Sequence, residues 1–80
     1  MNYEIVLHIA NLATYRDSEG NRWAKELNII SWNGKKCVFD VREWNEDHTV
    51  CRKGLTLSAE EVESLCKGFT AYKQTVFNSL

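Results

Sequence analysis

The stretch W-A-K-E-L-N-I-I-S-W-N-G-K-K-C-V-F-D-V-R-E-W, residues 23–44, decides the fold. Two runs rich in β-branched and aromatic residues flank Asn33-Gly34, the strongest short-range hairpin signal in the chain. A two-residue loop would set Trp32 opposite Lys35 and put Leu27 on one face with Asp40, mixing apolar with polar. A three-residue loop, Asn33 to Lys35, moves the register by one, and a one-residue slip exchanges the faces of a whole strand. Trp32 then faces Lys36, and Leu27, Ile29 and Ser31 share a face with Cys37, Phe39 and Val41. The other face collects Glu26, Asn28, Ile30 and Trp32 with Lys36, Val38, Asp40, Arg42 and Trp44. The first set suits a covering helix; the second places two tryptophans among amide and cationic groups.

Outward from the hairpin, Tyr3 to Tyr15 reads as a first strand with apolar residues on both sides, as expected of a strand covered on both faces for part of its length. Residues 16–21 form a polar turn segment, Arg22 to Trp32 and Lys36 to Trp44 are the hairpin strands, and Asn45 to His48 is a second turn. Val50 to Leu57 reads as a fourth strand. Ser58-Ala59-Glu60-Glu61 is a capping box, in which the Ser58 hydroxyl and the Glu61 carboxylate satisfy each other's backbone N–H groups. A helix should run from there to about Phe77, through Gly68, with Val62, Leu65, Cys66, Phe69 and Val76 as its apolar stripe and Tyr72 beside it. The expected class is α+β: a curved, four-stranded antiparallel ββββα sheet with one C-terminal helix on one face.

The 80 residues allow one domain, spanning 1–80. A chain of this size buries only about 60–65% of its unfolded surface, and domains this small often rely on a disulfide, a metal or a partner. Cys37, Cys51 and Cys66 are odd in number and far apart, and His8 and His48 lie at no zinc-like spacing from them, so neither a disulfide framework nor a metal is expected. Self-association as a homodimer remains. No apolar run is long enough to cross a membrane, no secretory signal is recognisable, and a reducing, cytoplasmic location beside the nucleoid is expected. Net charge is −1. Between Arg22 and Gly54, however, seven basic residues stand against five acidic ones, which gives the middle of the chain a local excess able to steer an anion.

Aromatic rings exposed on a sheet among basic and amide groups match the needs of single-stranded nucleic acid. Bases stack on the rings, at about 1–3 kcal/mol each, while cations follow the phosphates. A duplex reader would need a basic helix or ribbon for the major groove, and the one helix here begins acidic. Trp23 falls on the core side of the alternation and is expected to pack. Arg42 lies opposite Glu26, so a cross-strand ion pair is the structural alternative to a ligand contact. His48 has no neighbour that would orient it for catalysis, and a role in the turn with Asp47 is expected. No catalytic residue, no cofactor and no enzyme activity are expected.

The ordered set KELN, SWNG, FDVREW, DHT and KGLTLS resembles the bacterial YdbC-like branch of the transcriptional coactivator family called positive cofactor four. The resemblance is strong over a little more than half of the chain, and the tail from Thr70 extends beyond the bacterial pattern. It implies a ββββα protomer that dimerises and binds single-stranded DNA along its sheet with little sequence preference, in transcription, replication or repair. Residue by residue, it implies base stacking by Trp32, which precedes the hairpin glycine, and backbone contacts by Arg42 of the D-V-R-E motif and Lys53 of R-K-G. Lys25 matches a basic position early in the second strand, and Trp44 an aromatic after the R-E pair. Asn28 is expected to supply a hydrogen bond, with Lys36 and Arg52 as supporting charges. Eukaryotic members carry further basic residues where this chain has Asn28 and Ile30, which implies fewer released counterions and a shallower salt dependence. The same aromatic face would also suit single-stranded RNA, or a transcription or replication protein in an interaction module. Stacking alone does not separate these ligands.

Overall fold

In the computed structural model, which describes residues 2–78 and side chains as far as residue 76, the hairpin adopts the register that the side-chain pattern requires. Strands β1 (Tyr3–Arg16), β2 (Arg22–Trp32), β3 (Val38–Asn45) and β4 (Leu55–Leu57) form one antiparallel meander in chain order, followed by helix α1 (Ala59–Asn78). Glu26 pairs with Arg42, Asn28 with Asp40 and Ile30 with Val38, as expected from the one-residue shift. The turn itself is tighter than the expected three-residue loop. Asn33 and Gly34 both have positive φ, 52° and 72°, and Lys35 N–H donates to the Trp32 carbonyl at 2.9 Å. These are the features of a two-residue primed turn, whose twist matches that of the strands. The odd residue is absorbed afterwards, in the unpaired segment 35–37, so β3 begins at Val38 rather than Lys36.

Strand β1 departs from its expected environment. It lies at the sheet edge and uses its 14 residues to span the 11 of β2, with register shifts between Ile5 and Leu7, His8 and Ala10, and Asn11 and Ala13. The extra residues are Val6, Ile9 and Leu12, one every third position. Each bulge bends the strand and increases its twist. The expected two-sided cover is absent: Val6, Leu7, Ile9 and Leu12 are all exposed. Period-two reading fails here because three bulges reset the alternation.

Strand β4 is also shorter than the expected 50–57. Cys51 makes an isolated bridge to Trp44 and Arg52 N–H bonds the Glu43 carbonyl, but regular pairing resumes only at Leu55 opposite Val41. Gly54 sits at the interruption. A Cβ there would lie 2.2 Å from the Val41 carbonyl oxygen and 2.3 Å from Arg42 Cβ, so the chain crosses β3 at a distance only glycine permits.

Helix α1 begins with the capping box read from sequence. Ser58 N–H donates to Glu61 Oε1 at 2.8 Å, and Glu61 N–H donates to Ser58 Oγ at 3.1 Å. The helix continues through Gly68 to Asn78. It meets the sheet only along β3 and β4, and its apolar stripe stays exposed at Leu65, Phe69, Tyr72 and Val76. The buried core of the protomer is small and lies on the other face of the sheet: Ala24, Glu26, Asn28, Ile30, Asp40 and Trp44 are buried.

Candidate nucleic-acid interface

The face carrying Trp32, Arg42 and Trp44 is built by alternation along β2 and β3 and completed by Tyr3, paired with Trp32 at the start of β1. The N-terminal chain is tied to the hairpin tip, since Asn33 N–H donates to the Asn2 carbonyl and Asn2 N–H donates to Asn33 Oδ1. That anchorage brings Tyr3 over the tryptophans. Its ring centroid lies 5.1 Å from Trp44 and 5.8 Å from Trp32, and the two indoles lie 6.3 Å apart with 11° between their planes. His48 closes the other side of Trp44 at 5.7 Å.

This packing covers two of the residues expected to contact a ligand. Trp44 is 0% exposed and offers no face to a base; it is the floor on which the aromatic cluster rests. Asn28 is also fully buried, with its amide donating to Glu26 Oε1 at 3.0 Å and its carbonyl oxygen 2.7 Å from His8 Nδ1. Strand alternation gives the side a residue faces but not what covers it. The cover comes from Tyr3, His8 and His48, which are remote in sequence. Trp32 remains half-buried, with part of its ring available.

The Arg42 side chain does not bond Glu26, its register partner across the strands. Its Nε donates to Asp40 Oδ1 and its Nη2 to Asp40 Oδ2, both at 2.7 Å, a bidentate pair two residues apart on the same face. The hydrogen bonds donated to Asp40, opposed by burial, hold the guanidinium pKa above its ordinary value. The guanidinium carbon also lies 4.6 Å from the centre of the Trp32 ring. Glu26, left free of Arg42, accepts from the imidazole of His48, with Nε2 2.9 Å from Oε2, and lies 3.4 Å from His8 Nδ1. A cavity of about 450 Å³ opens beside this group, lined by Ile5, His8, Asn11, Arg22, Glu26 and His48. Among the described residues no group of three or more His, Cys, Asp or Glu side chains is arranged to hold a metal ion.

The expected cations divide between the two faces. Lys36 lies beside the hairpin tip, a few residues from Trp32, and is exposed. Lys25, paired with Glu43, projects from the opposite face, and so does Arg52. Arg52 stacks its guanidinium 3.9 Å from the Trp23 ring and donates to the Tyr15 hydroxyl at 2.6 Å. Trp23 packs as expected, but on the face opposite the Trp44 core, under Arg52, and its indole N–H donates to Asp17 Oδ2 at 3.0 Å. Lys53 is exposed at the bend before Gly54. Sequence reasoning missed Tyr3, His8, Asp40 and His48 as parts of the site. Only Asp40 was legible in principle, since its two-residue spacing from Arg42 puts both on one face of a strand.

The turn role expected of Asp47 and His48 is present. Asp47 Oδ1 accepts from Thr49 N–H and hydroxyl, and Asn45 Oδ1 accepts from Val50 N–H. His48 occupies the left-handed region at φ 59°, which turns its ring inward, and its carbonyl oxygen accepts from the Tyr3 hydroxyl. The three cysteines are free thiols.

The family model for Transcriptional Coactivator p15 (PC4) matches residues 20–68, from the end of the first turn into the helix. A protein of Treponema pallidum (strain Nichols), described as an uncharacterized protein, is 38% identical over 64 residues, covering 80% of this chain and 71% of that protein. No helix among the described residues is long and apolar enough to cross a membrane.

Proposed function

The chain belongs to the Transcriptional Coactivator p15 (PC4) family, whose domain supports a DNA-binding role, and from that membership we propose that it binds single-stranded DNA with little sequence preference. The observation that carries this reading is Trp32: a partly exposed indole at a hairpin tip, braced by Tyr3 and Trp44, next to the exposed lysines Lys35 and Lys36. A rigid ring loses little freedom when a base stacks on it, and mobile lysines beside it can follow the phosphates without a fixed register. Lys53, Lys25 and Arg52 are auxiliary cations, the last two for strand that passes round the sheet to its other face.

The working unit in this reading is a homodimer. The radius of gyration is 15.3 Å, against about 12 Å for a compact chain of this length. Leu65, Phe69 and Tyr72 are each 60% or more exposed along one side of α1, and Leu55 is about half exposed on β4. A second copy brings the same apolar stripe and satisfies both at once. Transcription, replication and repair are the processes such a protein would serve, at the nucleoid.

The test is titration of intrinsic tryptophan fluorescence with a thymine oligonucleotide at several salt concentrations, with a duplex control. Quenching by the single strand, weakened by salt and poor with the duplex, is the expected result. Absence of binding at low salt would remove the DNA reading.

A further inference from the structure

Arg42 is the cation of the D-V-R-E motif, yet its surroundings are those of a neutralised group. Its side chain is 15% exposed and its partner Asp40 is fully buried. Both carboxylate oxygens are engaged by Arg42, at 2.7 Å each. Among the hydrogen bonds of the described residues Asp40 has no other cationic partner. Drawing Arg42 away toward a phosphate would leave that carboxylate buried and uncompensated, and breaking a buried pair from one side is strongly unfavourable. At the same time the guanidinium lies against the Trp32 ring. Guanidinium is planar and weakly hydrated, it stacks on aromatic faces, and bases stack on it in turn.

We infer that Asp40 makes Arg42 part of a stacking platform with Trp32 and not a phosphate-neutralising cation, so that Asp40 is a positioning residue of the nucleic-acid interface. Two independent bonds to Asp40 fix the plane of the guanidinium, and the indole stack fixes its height. A base arriving at the hairpin tip meets the guanidinium plane, backed by the indole on which it lies. The pair carries no net charge, so it releases no counterion when DNA binds. The salt dependence of binding then comes from the lysines. This inference rests on the single-stranded-DNA reading above and assigns roles within it.

The experiment measures affinity for a thymine oligonucleotide across a salt series for the wild type, Arg42→Lys, Arg42→Gln, Asp40→Asn and Lys36→Gln, each checked for folding by thermal melt. Arg42→Lys keeps the charge and loses the plane; it is expected to bind about five- to hundredfold more weakly, the loss typical of one stacked base, with the wild-type salt slope. Arg42→Gln should behave likewise. Lys36→Gln should instead flatten the slope by about 0.7, the value for one phosphate on a single strand. Asp40→Asn, close in shape and still able to offer the guanidinium one acceptor, frees the guanidinium charge and should steepen the slope by about the same amount. Wild-type affinity in Arg42→Lys, or an unchanged slope in folded Asp40→Asn, overturns the assignment while leaving DNA binding intact. Failure of the wild type to bind overturns the DNA reading and this assignment together.

Discussion

Glu26 and His48, 22 residues apart, meet on the curved face of the sheet with imidazole Nε2 2.9 Å from one carboxylate oxygen and 3.1 Å from the other. This link fastens the second turn to the middle of β2. It also explains why Arg42 is released to Asp40: Glu26 is already taken, by His48, Asn28 and the nearby His8. A double-mutant cycle between Glu26→Ala and His48→Ala should return a coupling of about 1 kcal/mol in unfolding free energy. Additive effects would mean that the contact is geometric without being energetic.

Trp32 and Trp44 should separate function from stability. Trp44→Ala removes a fully buried indole from beneath Tyr3 and Trp32, and a loss of about 3–5 kcal/mol is expected in chemical denaturation. Trp32→Ala, at a partly exposed position, should lower the melt less than Trp44→Ala and weaken oligonucleotide binding by at least about fivefold. Equal stability losses in the two variants would contradict this division.

Gly54→Ala is expected to cost at least about 1–3 kcal/mol, because its methyl group would overlap the Val41 carbonyl and the Arg42 side chain and the crossing strand must move. The same substitution at Gly68, where a Cβ would meet nothing within 4 Å, should stabilise the helix by about 1 kcal/mol. Thermal melts of the two variants should therefore shift in opposite directions.

Acid should loosen the turns before the strands. Asp17 is held below the ordinary carboxylate value of 3.8 chiefly by the Trp23 indole N–H, then by Asn21 N–H, and Asp47 chiefly by the Thr49 hydroxyl and N–H. Both pKa values are depressed in the folded state. Their stabilisation is therefore fully present above the unfolded value and is lost as pH falls below 3.8 through the depressed values. Fluorescence of Trp23 should change over that interval in the wild type, and Asp17→Asn should abolish the change. A transition that survives the substitution would place its origin elsewhere.

The apolar side of α1 should set the oligomeric state. Phe69→Glu places a charge in the stripe formed by Leu65, Phe69 and Tyr72, and within the protomer it gives up only the ring contacts of Phe69 with Tyr72 and Lys73. Sedimentation is expected to show a dimer for the wild type and a monomer for the variant, with the melt of the variant lowered and independent of concentration. A wild-type monomer would remove the dimeric reading.

The hairpin register, the strand order and the start of the helix were settled by local chemistry. Leu27, Ile29, Phe39 and Val41 share a face in the register that sets Glu26 opposite Arg42, and Ser58 with Glu61 makes a cap from side chains three residues apart. Each of these rests on neighbours along the chain or directly across one turn, and the pattern of residue types contains that information. The burial of Trp44 and Asn28, the diversion of Arg42 to Asp40, and the division of Lys25 and Arg52 from Lys36 were decided only by tertiary structure. Alternation tells which side of a strand a residue faces, but the three bulges of β1 and the inward turn of His48 decide what lies over it. Those contacts join Tyr3 and His48 to the middle of the sheet across more than 20 residues, and no local propensity encodes such a distance.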